Sequence, residues 1–293
     1  MPHTSALPPV VSTDWLADRL GQPSLKVVDG SWYLPTSGRD AAAEFAAGHI
    51  PGAVFFDVDA SSDRQSPLPH MLPPAAEFAA RMSALGLDDD ATIVVYDGSG
   101  VNLSAPRVWW TFRVFGHPRV AVLDGGSARW RAEGRPLERG VPHPAPGRFT
   151  ARLDPTRVRD LASIHANLTA HREQVVDLRP ADRFEGRAPE FRAGVRSGHI
   201  PGSRNLPFTE LVTPQGTVLD PPAIRAKLAA AGVDLTRPVV ASCGSGTSAC
   251  ALVLALALLG HDDVAVYDGS WTEWGGRDDT PVELGPARNG PAG

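Results

Sequence analysis

The residues best placed to do chemistry are Cys243-Gly244-Ser245-Gly246-Thr247-Ser248. They follow the apolar run Val239-Val240-Ala241 and precede a longer one from Ala249 to Leu259. That order predicts a buried strand, a glycine-rich turn and a buried helix. Backbone N–H groups converge at such a junction, and the helix dipole adds positive potential. A cysteine held there is favoured as thiolate, the nucleophilic form. A cysteine in such a turn also serves as packing, so these residues alone leave both roles open. Two known uses of this architecture are testable by spacing. A cysteine phosphatase needs an arginine six positions after the cysteine to grip phosphate, and Ala249 stands there. A cysteine protease needs a paired histidine, which the local sequence does not supply.

The bulk composition narrows the setting. The chain has 293 residues, 42% apolar and 21% charged, with a net charge of −5. It is long enough for two domains of ordinary size, and its acidic balance argues against nucleic-acid or membrane-surface partners. No apolar run reaches the ~20 residues of a membrane-spanning helix. Met1 to Val11 lacks a basic n-region and an apolar core, so no secretory signal is expected. Two cysteines, Cys243 and Cys250, are too few for a disulfide framework and lack the histidine spacing of a zinc site. The expectation is a reducing, cytoplasmic setting, no metal, and a core role for Cys250.

The elements that must position Cys243 are written twice. Gly48-His49-Ile50-Pro51-Gly52 recurs as Gly198-His199-Ile200-Pro201-Gly202, and Val27-Val28-Asp29 as Val175-Val176-Asp177. Val94 to Gly100 pairs with Val239 to Gly246, and Gly116-His117 through Gly125 with Gly260-His261 through Gly269. The kept order and nearly constant spacing mark a domain duplication. In the first half the strand candidates are Leu25–Asp29, Ala53–Asp57, Thr92–Tyr96 and Val120–Leu123. Helix candidates are Asp40–Ala47, Pro74–Leu85 and Pro106–Phe115, with Ser12 and Thr13 able to cap an opening helix Asp14–Leu20. Continuous apolar strands predict mainly parallel sheets covered by helices on both faces. The expected layout is an α/β domain over 1–135, a proline-rich linker over 136–155, and a second α/β domain over 156–293 with a loose tail after 280. Asp97 stands at the position of Cys243 in the first copy, so only the second copy carries thiol chemistry; Asp97 reads as a turn former.

The duplication, the repeated Gly-His-Ile-Pro-Gly and the cysteine confined to the second copy resemble the two-domain rhodanese-like sulfurtransferases. The likeness runs from about Ser12 to Arg277. It includes Ser62-Asp63-Arg64, His70-Met71-Leu72-Pro73, Ser104-Ala105-Pro106-Arg107-Val108-Trp109-Trp110 and Asp268-Gly269-Ser270-Trp271-Thr272-Glu273-Trp274. Within that family the cysteine loop is similar to the Cys-Gly-Ser/Thr-Gly-Val-Thr of 3-mercaptopyruvate sulfurtransferases, with Thr247-Ser248 in place of Val-Thr. Members that use thiosulfate have a basic pair after the cysteine, where this chain has Gly244 and Ser245. A small dianion suits adjacent basic side chains. A monocarboxylate with a ketone suits a neutral loop with arginines further off.

The resemblance implies a site at a cleft between the halves. It implies a Cys243 nucleophile and a Ser245, His70 and Asp59 relay for the proton that the departing enolate must gain. Asp57 and Asp63 compete with Asp59 for that place. It implies Arg183 and Arg192 as the substrate's anchors, with Gly244, Gly246, Thr247 and Ser248 lining the loop. It implies sulfur transfer from 3-mercaptopyruvate through a Cys243 persulfide to a thiol such as thioredoxin, or to cyanide, without metal or organic cofactor. The alternatives are a thiosulfate:cyanide sulfurtransferase and a non-catalytic sulfur-carrier module. His49 and His199, present in both copies, read as structural. Trp109, Trp110, Trp271 and Trp274 read as core.

Overall fold

Short strands built on apolar runs need cover on both faces, and each half of the chain supplies it with helices. The computed structural model describes residues 7–287. It separates into two compact units. The first takes the described residues through Asp63, then Leu72–Asp154 and Pro214–Val218; the second takes Arg64–Met71, Pro155–Thr213 and Leu219 onward.

The first unit contains β1 (Val10–Val11), α1 (Thr13–Ala17), β2 (Leu25–Asp29), α2 (Ala41–Ala47), β3 (Ala53–Phe55), α3 (Ala75–Ala84), β4 (Thr92–Tyr96), α4 (Ala105–Val114), β5 (Val120–Leu123) and α5 (Gly126–Ala132). Its five strands lie in the order β1-β5-β4-β2-β3, and every pairing is parallel. One face of the central strand β4 packs Val94 and Tyr96 with Leu16, Phe45 and Trp130. An aromatic group of Phe56, Phe78, Phe112, Phe115 and Phe149 forms a second buried cluster.

The second unit repeats this with β6 (Val158–Arg159), α6 (Leu161–Ala170), β7 (Gln174–Asp177), α7 (Ala181–Phe184), β8 (Arg204–Asn205), α8 (Pro221–Ala230), β9 (Val239–Ser242), α9 (Cys250–Leu258), β10 (Val264–Tyr267) and α10 (Ser270–Gly275). Its order, β6-β10-β9-β7-β8, is the first sheet's order strand for strand, again all parallel. In both sheets the cysteine or aspartate position follows the central strand, at the carboxyl end where open α/β sheets bind ligands.

Local signals explain the element ends. Ser12, Asp40, Asp160 and Asp220 cap α1, α2, α6 and α8, each side-chain oxygen accepting a backbone N–H of the first turn. The strands Leu25–Asp29, Thr92–Tyr96 and Val120–Leu123 fall where the sequence puts them. The helix expected over Asp14–Leu20 begins one residue earlier and ends at Ala17, and the strand expected to Asp57 ends at Phe55. The edge strands β1 and β6 have two residues each, too short to leave a periodic signal.

The proline-rich stretch 136–154 runs along the first unit rather than free of it. Glu138 pairs with His49 across an antiparallel bridge, Gly147 donates to Ser83 O, and Arg152 donates to Phe115 O. The chain after 280 is also tied down where it is described: Glu283 bridges His199, Pro281 O accepts the Trp274 indole, and Gly285 donates to Glu185 O. The expected loose tail therefore does not hold for this stretch, and residues 288–293 lie outside the described residues. Among the described residues no helix is long and apolar enough to cross a membrane.

Candidate active site at the end of the central strand

The central strand β9 is fully buried and delivers Cys243, 2% exposed, at its carboxyl end. The loop from Cys243 to Ala249 then feeds α9, whose first seven residues are buried. Gly246 makes the turn at φ 75°, a left-handed conformation that favours glycine. Among the described residues, the amides of Gly244, Ser245, Thr247 and Ser248 have no acceptor. They form a row of open donors beside the cysteine, as an anion site requires. The start of α10, after the neighbouring strand β10, fixes the loop: Cys243 N–H donates to Ser270 Oγ at 3.2 Å, Trp271 N–H to Cys243 O at 2.9 Å, and Thr272 N–H and Oγ1–H both to Gly244 O.

The first unit shows what that cradle binds when the thiol is replaced. Asp97, buried after β4, accepts the N–H and hydroxyl of Ser99 on one oxygen and the N–H groups of Ser104 and Ala105 on the other. The amides of this loop converge on a negative charge carried by the chain itself, so the first copy is closed to a nucleophile. Asp97→Ala is expected to lower stability by about 2–3 kcal/mol, since the orphaned buried donors lose a charged acceptor. Urea denaturation measures this; an unchanged midpoint would show that the loop holds without the carboxylate.

His70 belongs to the second unit together with Arg64–Met71, not to the body formed by most of the first half. It sits at φ 61°, unusual for a residue with a side chain. Its Nδ1 lies 2.9 Å from Ser245 Oγ and 3.0 Å from Thr247 Oγ1. Two loop hydroxyls thus share one ring nitrogen, each able to accept from Nδ1–H or donate to its lone pair. Thr247, placed by sequence among the loop-lining residues, supplies a second hydroxyl partner for the histidine.

Arg183, at the end of α7, is nearly buried. Its Nε and Nη2 donate to the two oxygens of Glu190, and its guanidinium lies 4.0 Å over the Phe191 ring. A Cβ at Gly244 would meet Arg183 Nη2 at 3.5 Å and nothing else, so the guanidinium borders the residue next to the cysteine. Arg192 Nη1 donates to Thr272 Oγ1 at 3.4 Å, the hydroxyl that itself donates to Gly244 O. Both arginines therefore connect to the cysteine loop. Ser248 is half-buried in that loop.

Asp59 lies in the first unit, where its carboxylate accepts the Trp32 indole N–H at 3.1 Å. His49 and His199 are structural: each Nδ1 bonds a backbone carbonyl, of Phe45 and Phe184, and each ring stacks on that same phenylalanine. Burial pushes the His199 pKa below the ordinary value. Trp109, Trp110, Trp271 and Trp274 are core residues. Cys250 is buried, with its thiol toward Gly246 O.

Sequence reasoning missed Arg179, Ser270 and Thr272. Arg179 is 1% exposed, bonded to both oxygens of Asp177, to Glu190 and to Gly198 O, and stacked on Trp271. Burial penalises its charge, yet Asp177 and Glu190 outweigh that and hold its pKa above the ordinary arginine value. The repeat contained the signal. Asp29-Gly30-Ser31 aligns with Asp177-Leu178-Arg179, so a charge appears only in the copy that has the cysteine.

A family model for the Rhodanese-like domain matches this chain twice, at residues 12–133 and 160–277. The chain belongs to the rhodanese-like family. It is 49% identical to the 3-mercaptopyruvate sulfurtransferase of Mus musculus over 270 residues, covering 90% of this chain and 91% of that one. It is 42% identical to the enzyme of that name from Escherichia coli (strain K12), covering 93% and 97%. The thiosulfate sulfurtransferase of Bos taurus is 44% identical, covering 94% of each. Among solved structures, SseA from Escherichia coli, described as a 3-mercaptopyruvate sulfotransferase with the rhodanese fold, superposes with a TM-score of 0.83 at 40% identity, covering 90% of this chain and 99% of that one. The α/β architecture is thus two tandem rhodanese-like domains, each a five-stranded parallel sheet flanked by helices.

Proposed function

We propose that this rhodanese-like protein is a 3-mercaptopyruvate sulfurtransferase. Overall identity does not separate the donors, since relatives named for mercaptopyruvate and for thiosulfate are similarly close. The carrying observation is local: the loop after Cys243 is neutral, and its cationic partners, Arg183 and Arg192, stand on other segments. That arrangement fits one carboxylate held by a guanidinium, with the sulfur presented to the cysteine.

In the first half-reaction the Cys243 thiolate attacks the substrate sulfur. A sulfur–sulfur bond forms, the carbon–sulfur bond breaks, and its electron pair passes into pyruvate enolate. The enolate takes a proton, for which His70 with Ser245 and Thr247 offers a path of hydroxyl and imidazole groups. Asp59 is assigned as the relay's carboxylate on family resemblance alone. The open amides of the loop stabilise negative charge on the cysteine sulfur and on the outer persulfide sulfur. In the second half-reaction an acceptor thiolate attacks the outer sulfur, leaves with it as a persulfide, and returns Cys243 as thiolate. A dithiol acceptor such as thioredoxin then expels sulfide as its own disulfide closes, and cyanide leaves as thiocyanate. This is ping-pong covalent catalysis. Neither cysteine is held in a disulfide, which supports a reducing setting such as the cytoplasm.

The donor comparison tests the reading. The kcat/KM for 3-mercaptopyruvate is expected to exceed that for thiosulfate by about 100-fold or more, because a site built for one anion pairs poorly with another. A thiosulfate value equal or higher would reassign the chain to the thiosulfate-using branch. A stable one-sulfur adduct on Cys243 with no turnover to any acceptor would favour the carrier reading.

A further inference from the structure

Arg183 does not meet the loop as an isolated cation. Its Nε and Nη2 are taken by Glu190, whose side chain is 5% exposed. Glu190 Oε1 also accepts Arg179 Nη1 at 2.7 Å, and Arg179 is in turn clamped by Asp177. Four charged groups thus form one chain: Asp177, Arg179, Glu190, Arg183. Two are negative and two positive, so the buried network is neutral. Beside the network lie the exposed Asp182, whose carboxylate accepts the Arg183 backbone N–H, and the half-buried Glu185, which pairs with the exposed Arg187.

Two consequences follow from guanidinium geometry. A guanidinium offers a carboxylate either its Nε–Nη edge or its Nη1–Nη2 edge. Glu190 occupies the first, so a substrate meets Arg183 only along the second. The charge available to a donor is also fixed. With Glu190 cancelling Arg183, the network adds no net positive charge beside the loop, so a donor's second negative charge gains nothing from it.

We propose that Glu190 is a positioning and specificity-determining residue: it sets which edge of Arg183 faces the donor and holds the site near the charge that selects a monoanionic thiocarboxylate over dianionic thiosulfate. This rests on the proposed sulfurtransferase function. Glu190→Gln keeps the side chain's size and one accepting oxygen but leaves the network with one net positive charge. Attraction for a dianion then rises twice as steeply as for a monoanion.

The test is steady-state kinetics of the full chain with 3-mercaptopyruvate and with thiosulfate, each with cyanide as acceptor, at low and high salt. For Glu190→Gln the ratio of kcat/KM, mercaptopyruvate over thiosulfate, is expected to fall at least about tenfold at low salt and to recover partly at high salt. Glu190→Asp keeps the charge but draws it back; it is expected to raise the mercaptopyruvate KM with the donor ratio within about twofold of the parent. Equal losses with both donors in Glu190→Gln would overturn the proposal, because a merely structural role lowers both together. If Glu190→Gln does not fold, a donor ratio in Glu190→Asp shifted as far as tenfold overturns it, and a preserved ratio with raised KM supports it. A parent chain that turns over neither donor would instead remove the sulfurtransferase reading itself.

Discussion

A Cys243→Ser chain releases no pyruvate from 3-mercaptopyruvate above background, a loss of at least about 10⁴-fold in kcat, as for removal of other covalent nucleophiles. The reason is specific to sulfur. The first step needs an anionic group at Cys243 that accepts a second sulfur, and a serine hydroxyl is neither ionised at working pH nor able to form a lasting bond to that sulfur. The substitution is nearly isosteric at a position 2% exposed, so the loop and its row of open amides should persist. Intact-mass spectrometry gives an independent reading. The parent chain, treated with donor and no acceptor, gains the mass of one sulfur atom. Cys243→Ser does not, although the buried thiol of Cys250 remains seven residues away. Peptide mapping should place the added sulfur on Cys243. Residual turnover at the parent rate would remove the mechanism outright.

What the sequence disclosed and what it hid divide along physical lines. Strands buried on both faces announce themselves as continuous apolar runs, and Thr92–Tyr96 and Val120–Leu123 lie where those runs are. The duplicated topology was legible because each half repeats the same punctuation of glycine, histidine and proline, and the two sheets share one strand order. Edge strands of two residues carry no period and left no trace. The proline-rich stretch 136–154 looked like a tether because composition reports backbone stiffness, not contacts; its partners Ser83, Asp88 and Asp89 sit some 60 residues earlier in the chain. The site was legible at Cys243, where type and position coincide. Arg183 and Arg192 came from resemblance alone, because an isolated arginine in sequence is indistinguishable from a surface charge. Glu190 stands seven residues after Arg183, a spacing that by itself marks no contact. That it joins Arg183 to the buried Arg179 is a fact of three dimensions, and it changes what the arginine offers to a substrate.

Arg183→Ala is expected to lower kcat/KM for 3-mercaptopyruvate by about 10²–10³-fold, and Arg192→Ala by about tenfold to 100-fold, from the loss of charge-assisted hydrogen bonds. The difference in size follows from the surroundings. Removing Arg183 takes away the fork beside Gly244, and it also leaves Asp177, Arg179 and Glu190 with one net negative charge. A substrate carboxylate then meets repulsion where it had a partner, so the loss exceeds the value of the missing bonds. Arg192 meets the cysteine loop through a longer hydrogen bond, 3.4 Å to the Thr272 hydroxyl, so the loop loses a weaker contact with it. Arg183→Lys separates charge from geometry: an ammonium restores the net balance but not two parallel N–H bonds, and should recover only part of the loss. The deficit should fall mainly on KM if the arginine binds ground and transition states alike, and on kcat as well if it orients the ketone for enolate departure. Thermal melts of each variant check that the fold survives. Kinetics unchanged in both alanine variants would move the substrate pocket away from these arginines, and with it the explanation for a cysteine loop that carries no basic side chain of its own.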